Sequence, residues 1–187
     1  MLVKVIAELL GEQVRATDGP FGVVEDVYFD RDCWQLSYLL IASQASRALV
    51  SVAGLEDAAP SRRRLSLAVS RAQLAAGAGA WPMSGAVQWL DDMRACSVRE
   101  ALGWPVVGED APAGELSDLL VDARTWTVDY LVANVANGFG RRQVILPPDW
   151  LKPLDPCERA VRVRATRAQI TAAPVFGASL LRARAKG

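Results

Sequence analysis

The sequence contains no histidine among its 187 residues. This excludes catalysis by a histidine-activated nucleophile, metal sites built on imidazole, and a histidine-based pH switch. The three cysteines, Cys33, Cys96 and Cys157, lie far apart and form no CxxC pair. We therefore expect no zinc site and no disulfide framework, but free thiols in a reducing compartment. Cys96, beside Ser97 and Arg99, is either a low-pKa thiol or, as we favour, an inert cysteine.

Net charge and long apolar runs are also missing. Lys plus Arg and Asp plus Glu each number 21, so the formal charge is zero, which disfavours a general nucleic-acid binder. No apolar stretch approaches the roughly 20 residues that a membrane-spanning helix needs. Lys4 and Glu8 interrupt what would be the apolar core of a signal peptide. We expect a soluble, cytoplasmic protein without a transmembrane segment.

Motifs for catalysis or cofactor binding are absent as well. There is no Walker phosphate loop and no GxGxxG turn after a strand. Paired carboxylates for acid–base chemistry would need a pocket that shifts one pKa, and nothing in their spacing indicates one. We therefore expect a protein that is not an enzyme and that binds no cofactor or metal.

An internal repeat organises the chain. Residues 8–41 and 100–133 align without a gap at a spacing of 92, and the spacing is 96 where Ser70–Leu74 pairs with Thr166–Ile170. Such a repeat predicts two copies of one structural unit. The identical pairs include Glu8 and Glu100, Gly11 and Gly103, Gly22 and Gly114, Asp26 and Asp118, Asp30 and Asp122, Trp34 and Trp126, and Tyr38 and Tyr130.

Each copy carries short apolar runs that are typical of strands. They lie at 23–29, 36–40, 49–52 and 65–69 in the first copy and at 116–121, 128–132, 144–146 and 161–165 in the second. No long helix intervenes, so we predict a mainly β fold with a small antiparallel barrel in each copy. Ser70 and Thr166 have the character of N-caps, which predicts a short terminal helix after each. The predicted units are repeat 1 at 1–76, a connector at 77–93, repeat 2 at 94–174 and a basic tail at 175–187.

The residues of both copies resemble the PRC-barrel family. In the first copy the resemblance rests on Asp18-Gly, Gly22-Val-Val-Glu-Asp26, Phe29-Asp30, Trp34 and Tyr38-Leu-Leu-Ile41. In the second it rests on Thr125-Trp126, Tyr130-Leu-Val132, the segment 142–148, the segment 165–170 and Pro174-Val-Phe176, and is closer to a bacterial tandem subgroup. Together the two copies cover nearly the whole chain.

The resemblance implies a fold and a kind of role. PRC-barrels are small six-stranded barrels, found in the cytoplasmic part of the photosynthetic reaction-centre H subunit and, in similar form, in a ribosome maturation factor. They serve assembly and partner binding, so the resemblance implies a non-enzymatic interaction or adaptor module whose protein partner is unknown. The alternatives are a ribosome- or RNA-processing accessory factor and a peripheral assembly factor for a photosynthetic or other membrane complex.

Aromatic side chains at turns are the first candidates for an interface. Trp34 and Trp126 occupy the same position in both copies, at a turn between two strands. A large aromatic there needs covering. Either each ring folds over its own barrel end, or the pair lies at an interface between repeats or subunits. We expect the barrels to pack about an approximate two-fold axis, as in a homodimer made covalent. Phe139 is a further exposed-aromatic candidate.

Charged clusters provide the remaining candidates. Arg62, Arg63 and Arg64 form the one basic cluster, which either contacts phosphate or an acidic partner or solvates a hairpin turn. The acidic residues Asp26, Asp30, Asp32, Asp118 and Asp122 could form a calcium or magnesium site. We favour a structural role, because Asp where a strand meets a turn caps backbone amides.

Overall fold

The structure is a computed structural model that describes residues 3–44, 46–56, 64–75, 80–82, 90, 94–136, 140–155 and 157–177. In the first half the elements are β1 (Val3–Val5), α1 (Ile6–Leu9), β2 (Gln13–Ala16), β3 (Gly19–Asp30), β4 (Leu36–Ala42), β5 (Arg47–Ser51), a 3₁₀ turn (Val52–Gly54), β6 (Leu55–Glu56), β7 (Arg64–Leu67), α2 (Arg71–Ala75) and β8 (Ala80–Pro82). Strands dominate, as the apolar runs predict.

The second half repeats this order. It contains β9 (Ala95–Ser97), α3 (Val98–Ala101), β10 (Pro105–Val107), β11 (Pro112–Asp122), β12 (Val128–Ala136), β13 (Arg141–Leu146), a 3₁₀ turn (Pro148–Trp150), β14 (Val161–Arg162) and α4 (Arg167–Ala172). The predicted terminal helices are confirmed as α2 and α4. In α4 the Thr166 hydroxyl accepts the Gln169 N–H and the Gln169 side chain accepts the Thr166 N–H, forming a capping box.

The strands form two sheets, one for each half. The first sheet has the order β6-β7-β2-β3-β4-β5-β8, and the second has the order β13-β12-β11-β10-β14. The mainly β fold predicted from the sequence is therefore confirmed. Among the described strands, the pairing in each sheet runs from one edge strand to another and does not return to its start.

The prediction of purely antiparallel pairing is wrong for one pair of strands in each half. β2 pairs with β7, and β10 with β14, in parallel. In the first half, β5 leads through the 3₁₀ turn into β6, and β6 and β7 are antiparallel. β7 then runs in the same direction as β2. The antiparallel strands β3 to β6 thus connect the parallel pair, and no long crossover helix is needed.

Two segments outside the predicted repeat boundaries also join the sheets. β8, inside the predicted connector, pairs with β5. Val175, the first residue of the predicted tail, forms an isolated bridge with Val144 of β13. β5 and β13 are equivalent strands of the repeat. In each half, the chain that follows the terminal helix thus pairs with this strand.

One hydrophobic cluster runs through both halves. It includes Phe29 and Leu39 from the first half and Leu119 and Leu131 from the second, all fully buried. A smaller cluster covers the other face of each sheet, around Leu49 in the first half and around residues 120, 132 and 145 in the second. None of the helices in the described part of the chain combines the length and the apolar character that a membrane crossing requires.

A close approach between neighbouring strands requires glycine at one position in each half. A β-carbon added to Gly22 would overlap the carbonyl oxygen of Ala42, and one added to Gly114 would overlap that of Asn134. The two glycines occupy equivalent positions in the repeat. They lie where β3 meets β4 and where β11 meets β12, so a side chain there would push the paired backbones apart.

We expect Gly22→Ala and Gly114→Ala each to lower the free energy of unfolding by about 3 kcal/mol, because backbone atoms cannot move aside as a side chain can. Gly54→Ala is the matched control, since nothing lies within 4 Å of a β-carbon at that position. It should change stability by less than about 1 kcal/mol. Urea denaturation of the three variants measures the difference, and equal stabilities would contradict the close approach.

Candidate functional site

The two halves exchange their first strands. β1 pairs antiparallel with β11 of the second half, with Val3 opposite Asp122. β9 pairs antiparallel with β3 of the first half, with Ala95 opposite Asp30. Val3 and Ala95 are equivalent positions of the repeat, 92 residues apart, and so are Asp30 and Asp122. The two pairings therefore have the same register. Each half therefore completes the sheet of the other half in the same way.

A buried carboxylate secures the exchanged segment of the second half. Asp26, on β3, accepts the Ser97 hydroxyl at 2.5 Å and the backbone N–H of Arg99 at 3.1 Å. The Ser97 oxygen in turn accepts the Glu100 N–H at 3.0 Å, as the N-cap of α3. Both polar groups are buried, and these bonds satisfy them where water cannot.

The first half repeats this arrangement with one group fewer. Asp118, on β11, accepts the backbone N–H of Ala7 in α1 at 3.2 Å and that of Leu119 at 2.7 Å. Val5 stands where the other copy has Ser97, so no hydroxyl reaches this carboxylate and α1 has no side-chain N-cap. Burial raises the pKa of Asp118 above its ordinary value of 3.8, against the opposing effect of its amide hydrogen bonds.

The tryptophan turns lie at the contact between the halves. Trp34 and Trp126 are both buried. Each accepts, through its carbonyl oxygen, a hydrogen bond from the strand that follows the other tryptophan. The contacts are Leu36 N–H to Trp126 at 2.8 Å, Val128 N–H to Trp34 at 3.2 Å, and an antiparallel bridge between Gln35 and Thr127.

The tryptophan backbones adopt a conformation that large side chains rarely take. Trp34 has φ 57° and Trp126 has φ 58°, in the left-handed region. The Trp34 ring stacks on Phe29 at 5.0 Å with an interplanar angle of 14°, and its Nε1 donates to the Lys152 carbonyl at 3.1 Å. The ring therefore packs within its own half and also bonds to the other half.

The acidic residues of the turns bond to their own backbone. Asp30 accepts the N–H groups of Asp32 and Cys33 at 2.8 and 3.0 Å, and Asp122 accepts the Arg124 N–H at 2.8 Å. This is the capping role that the sequence favours. Within the described ranges, no group of three or more acidic, cysteine or histidine side chains is arranged to hold a metal ion.

The cysteines differ in their surroundings. Cys33 and Cys157 are exposed, and Cys96 is buried. Burial raises the pKa of the Cys96 thiol to about 11, with a smaller opposing effect from Arg31. The low-pKa alternative for Cys96 is therefore wrong, and the group is a neutral thiol near pH 7.

Several sequence-predicted candidates lie outside the described residues. These are Phe139, Arg62 and Arg63. The backbone of Arg64 is described, and it begins β7 in register with Gln13 of β2. No described hydrogen bond or bridge joins Arg64 to Trp34 or Trp126.

An open groove lies on the first half, near the turn between β4 and β5. It encloses about 1000 Å³ and is lined by residues of β2, β3, that turn and α2. Four side chains give it its chemical character: Arg15, Phe21, Val23 and Arg71. Val23 is 41% exposed and, with Val175, is one of two exposed large apolar side chains among the described residues. Sequence reasoning missed this groove, which combines apolar surface with positive charge.

The second half lacks the same combination at the equivalent positions. Arg15 corresponds to Val107, Phe21 to Ala113 and Val23 to Glu115. One hydrogen bond, in contrast, is present in both copies. The Asp18 carboxylate accepts the first N–H of α2 at 2.9 Å, and Asp110 accepts the first N–H of α4 at 2.7 Å. Differences between two copies of one fold mark residues that the fold does not require, and this comparison could have located the groove from the sequence.

A comparison of the chain with protein-family models finds no match. A search among curated proteins likewise finds no protein with significant similarity.

We expect Trp34→Ala and Trp126→Ala each to cost about 3 kcal/mol of unfolding free energy or more, as for other buried aromatics. Trp34→Gly should cost about 1 kcal/mol less than Trp34→Ala, because glycine accepts the left-handed φ without strain. Chemical denaturation of the three variants checks both statements. A glycine variant less stable than the alanine variant would show that backbone strain at this turn is negligible.

Asp118 should make stability depend on pH. Its pKa is raised in the folded protein, so the protonated form contributes stability that is present below about pH 4 and is lost as pH rises through the raised pKa. Asp118→Asn should remove this loss, so its stability relative to the parent should increase with pH in that window. Urea titrations at successive pH values provide the measurement.

Glu8→Gln serves as the graded control for Asp118. The charge of Glu8 also raises the pKa of Asp118. Removing that charge should therefore narrow the pH range over which the Asp118 contribution to stability is lost, without abolishing the loss. Parallel stability curves for the parent and Asp118→Asn across the whole range would refute the assignment.

Proposed function

We propose that the chain is a non-enzymatic adaptor of the PRC-barrel type, in which two barrels are related by an approximate two-fold axis. The motifs in both copies support the family. The repeated order of elements and the equivalent registers of the exchanged strands support the two-fold relation. Such an axis buries the same patch of both copies, as an isologous dimer does.

The observation that carries the binding role is the groove of the first half. It presents Phe21 and Val23 to solvent at positions where the second copy has Ala113 and Glu115. Apolar side chains on a surface cost solubility and are typical of interaction sites when they gather in a concavity. The duplication thus keeps one copy as framework and specialises the other for binding.

The cellular location that fits this proposal is the cytoplasm. Cys33 and Cys157 are exposed and free. Exposed thiols that remain unpaired fit a reducing compartment, where adaptor proteins of this kind would meet their partners.

Site-specific photo-crosslinking tests the adaptor function. A photoreactive amino acid replaces Val23 in the full chain, and the matched control carries it at the equivalent position, Glu115. In the cells that produce the protein, we expect discrete protein adducts from position 23 and far fewer from position 115. Competition by excess unlabelled protein should remove them.

Two outcomes would overturn the proposal. One is an equal, diffuse background of adducts from both positions. The other is reproducible turnover of a small molecule by the purified chain, which would make the protein an enzyme. The mass of each crosslinked adduct, measured in parallel, shows whether the captured protein is a second copy of the chain.

A further inference from the structure

We propose that the groove of the first half binds an acidic, extended segment of a partner protein. Carboxylates of the segment pair with Arg15 and Arg71, and an apolar side chain of the segment packs on Phe21 and Val23. This inference rests on the proposed adaptor function and names the chemistry of its partner.

The charge of the groove favours an acidic ligand. The described residues that line it include two arginines and no acidic residue. In the described part of the chain, the exposed Arg15 side chain has no hydrogen-bond or ion-pair partner. Arginine presents a planar fork of donors that matches a carboxylate, so an unpaired arginine beside a groove is suited to bind one.

Arg71 is the second available cation. Its Nε lies 3.5 Å from the Asp18 carboxylate, and both side chains are about half exposed. By comparison, Arg47 and Glu25 are paired at 2.6 Å on the same sheet. Exposed ion pairs contribute little, so the long Arg71–Asp18 contact leaves the guanidinium able to bind a second carboxylate.

The apolar part of the groove favours a ligand that carries an apolar side chain beside its acidic groups. Phe21 is half-buried and Val23 is exposed, and both line the groove beside Arg15. A purely hydrophilic ligand would leave these side chains uncovered. A segment with an apolar residue between acidic residues would cover them and gain the free energy of burial.

The dimensions and the polar rim favour an extended peptide. A volume of about 1000 Å³ is at the upper end for small-ligand sites and too small for a folded domain. The exposed amide side chains of Gln13 and Gln44 at the rim can bond to a peptide backbone. Nucleic acid fits less well, because two cations around an apolar centre give few phosphate contacts.

Selection from a random peptide library tests the chemistry directly. Twelve-residue peptides displayed on phage are selected on the immobilised full chain at low salt. We expect enriched sequences with two or more acidic residues flanking an apolar one. Enrichment of basic or uncharged sequences, no enrichment, or tighter binding of single-stranded RNA oligonucleotides than of the peptides would overturn the inference.

The second copy supplies matched variants. Arg15→Val, Phe21→Ala and Val23→Glu each install the residue found at the equivalent position of the second half, where the fold accepts it. For the best selected peptide, synthesised with a fluorescent label, we expect each variant to bind about tenfold more weakly, the loss expected for one charge-assisted bond or one buried apolar contact. Glu115→Val, in the second half, should bind as the parent does. Unchanged binding by all three groove variants would place the peptide elsewhere and overturn the inference.

A charge exchange guards against loss of folding. Arg15→Glu should lose the acidic peptide and gain affinity for a peptide with lysine at the acidic positions. Restored binding cannot result from misfolding, and its absence in a variant with parental circular dichroism contradicts the role of Arg15. Failure of these peptide experiments, combined with strong crosslinks from position 23, would reject the acidic segment while leaving the adaptor function intact. Failure of both would reject the two together.

Discussion

The pairing of each short first strand with the long strand of the opposite half is the contact on which the architecture depends. β3 and β11 are long enough for one neighbour to cover their first part and for the exchanged strand to cover their last three residues. Without that strand, backbone groups at the end of β3 would lose their partners. The carboxylate of Asp26 would then also lose the helix N–H that it accepts. Buried polar groups without partners are costly, so each half requires the other to complete its hydrogen bonds.

The hydrophobic core reinforces the same dependence. A single cluster of buried side chains runs from Ile6 in α1 to Ile170 in α4. A domain of about 80 residues has a small core, and a shared core increases the apolar area removed from water. The tryptophan turns add one antiparallel bridge, between Gln35 and Thr127, across the contact. The strained backbone at these turns persists because the surrounding bonds and ring contacts hold it in place.

The sequence patterns predicted those elements that depend on neighbouring residues alone. The apolar runs gave the long strands, and the N-cap residues Ser70 and Thr166 gave the terminal helices. The exchange of β1 and β9 was not predictable in this way, because a three-residue strand carries no information about which distant strand it will pair with. The equivalence of Trp34 and Trp126 marked the contact between the halves, but not their left-handed φ. The groove was not predictable from the repeat, because it depends on differences between the copies and a repeat is defined by their identities.

The order in which the exchanged strands are synthesised has a consequence for folding in the cell. β9 begins 65 residues after the end of β3, and β1 is complete more than 100 residues before its partner β11 begins. A chain emerging from the ribosome therefore holds an uncovered strand edge and a carboxylate without its helix until the second copy appears. Contacts between distant residues slow folding, and open edges promote aggregation. We therefore expect the nascent first half to be prone to aggregation during this period, until the second half docks.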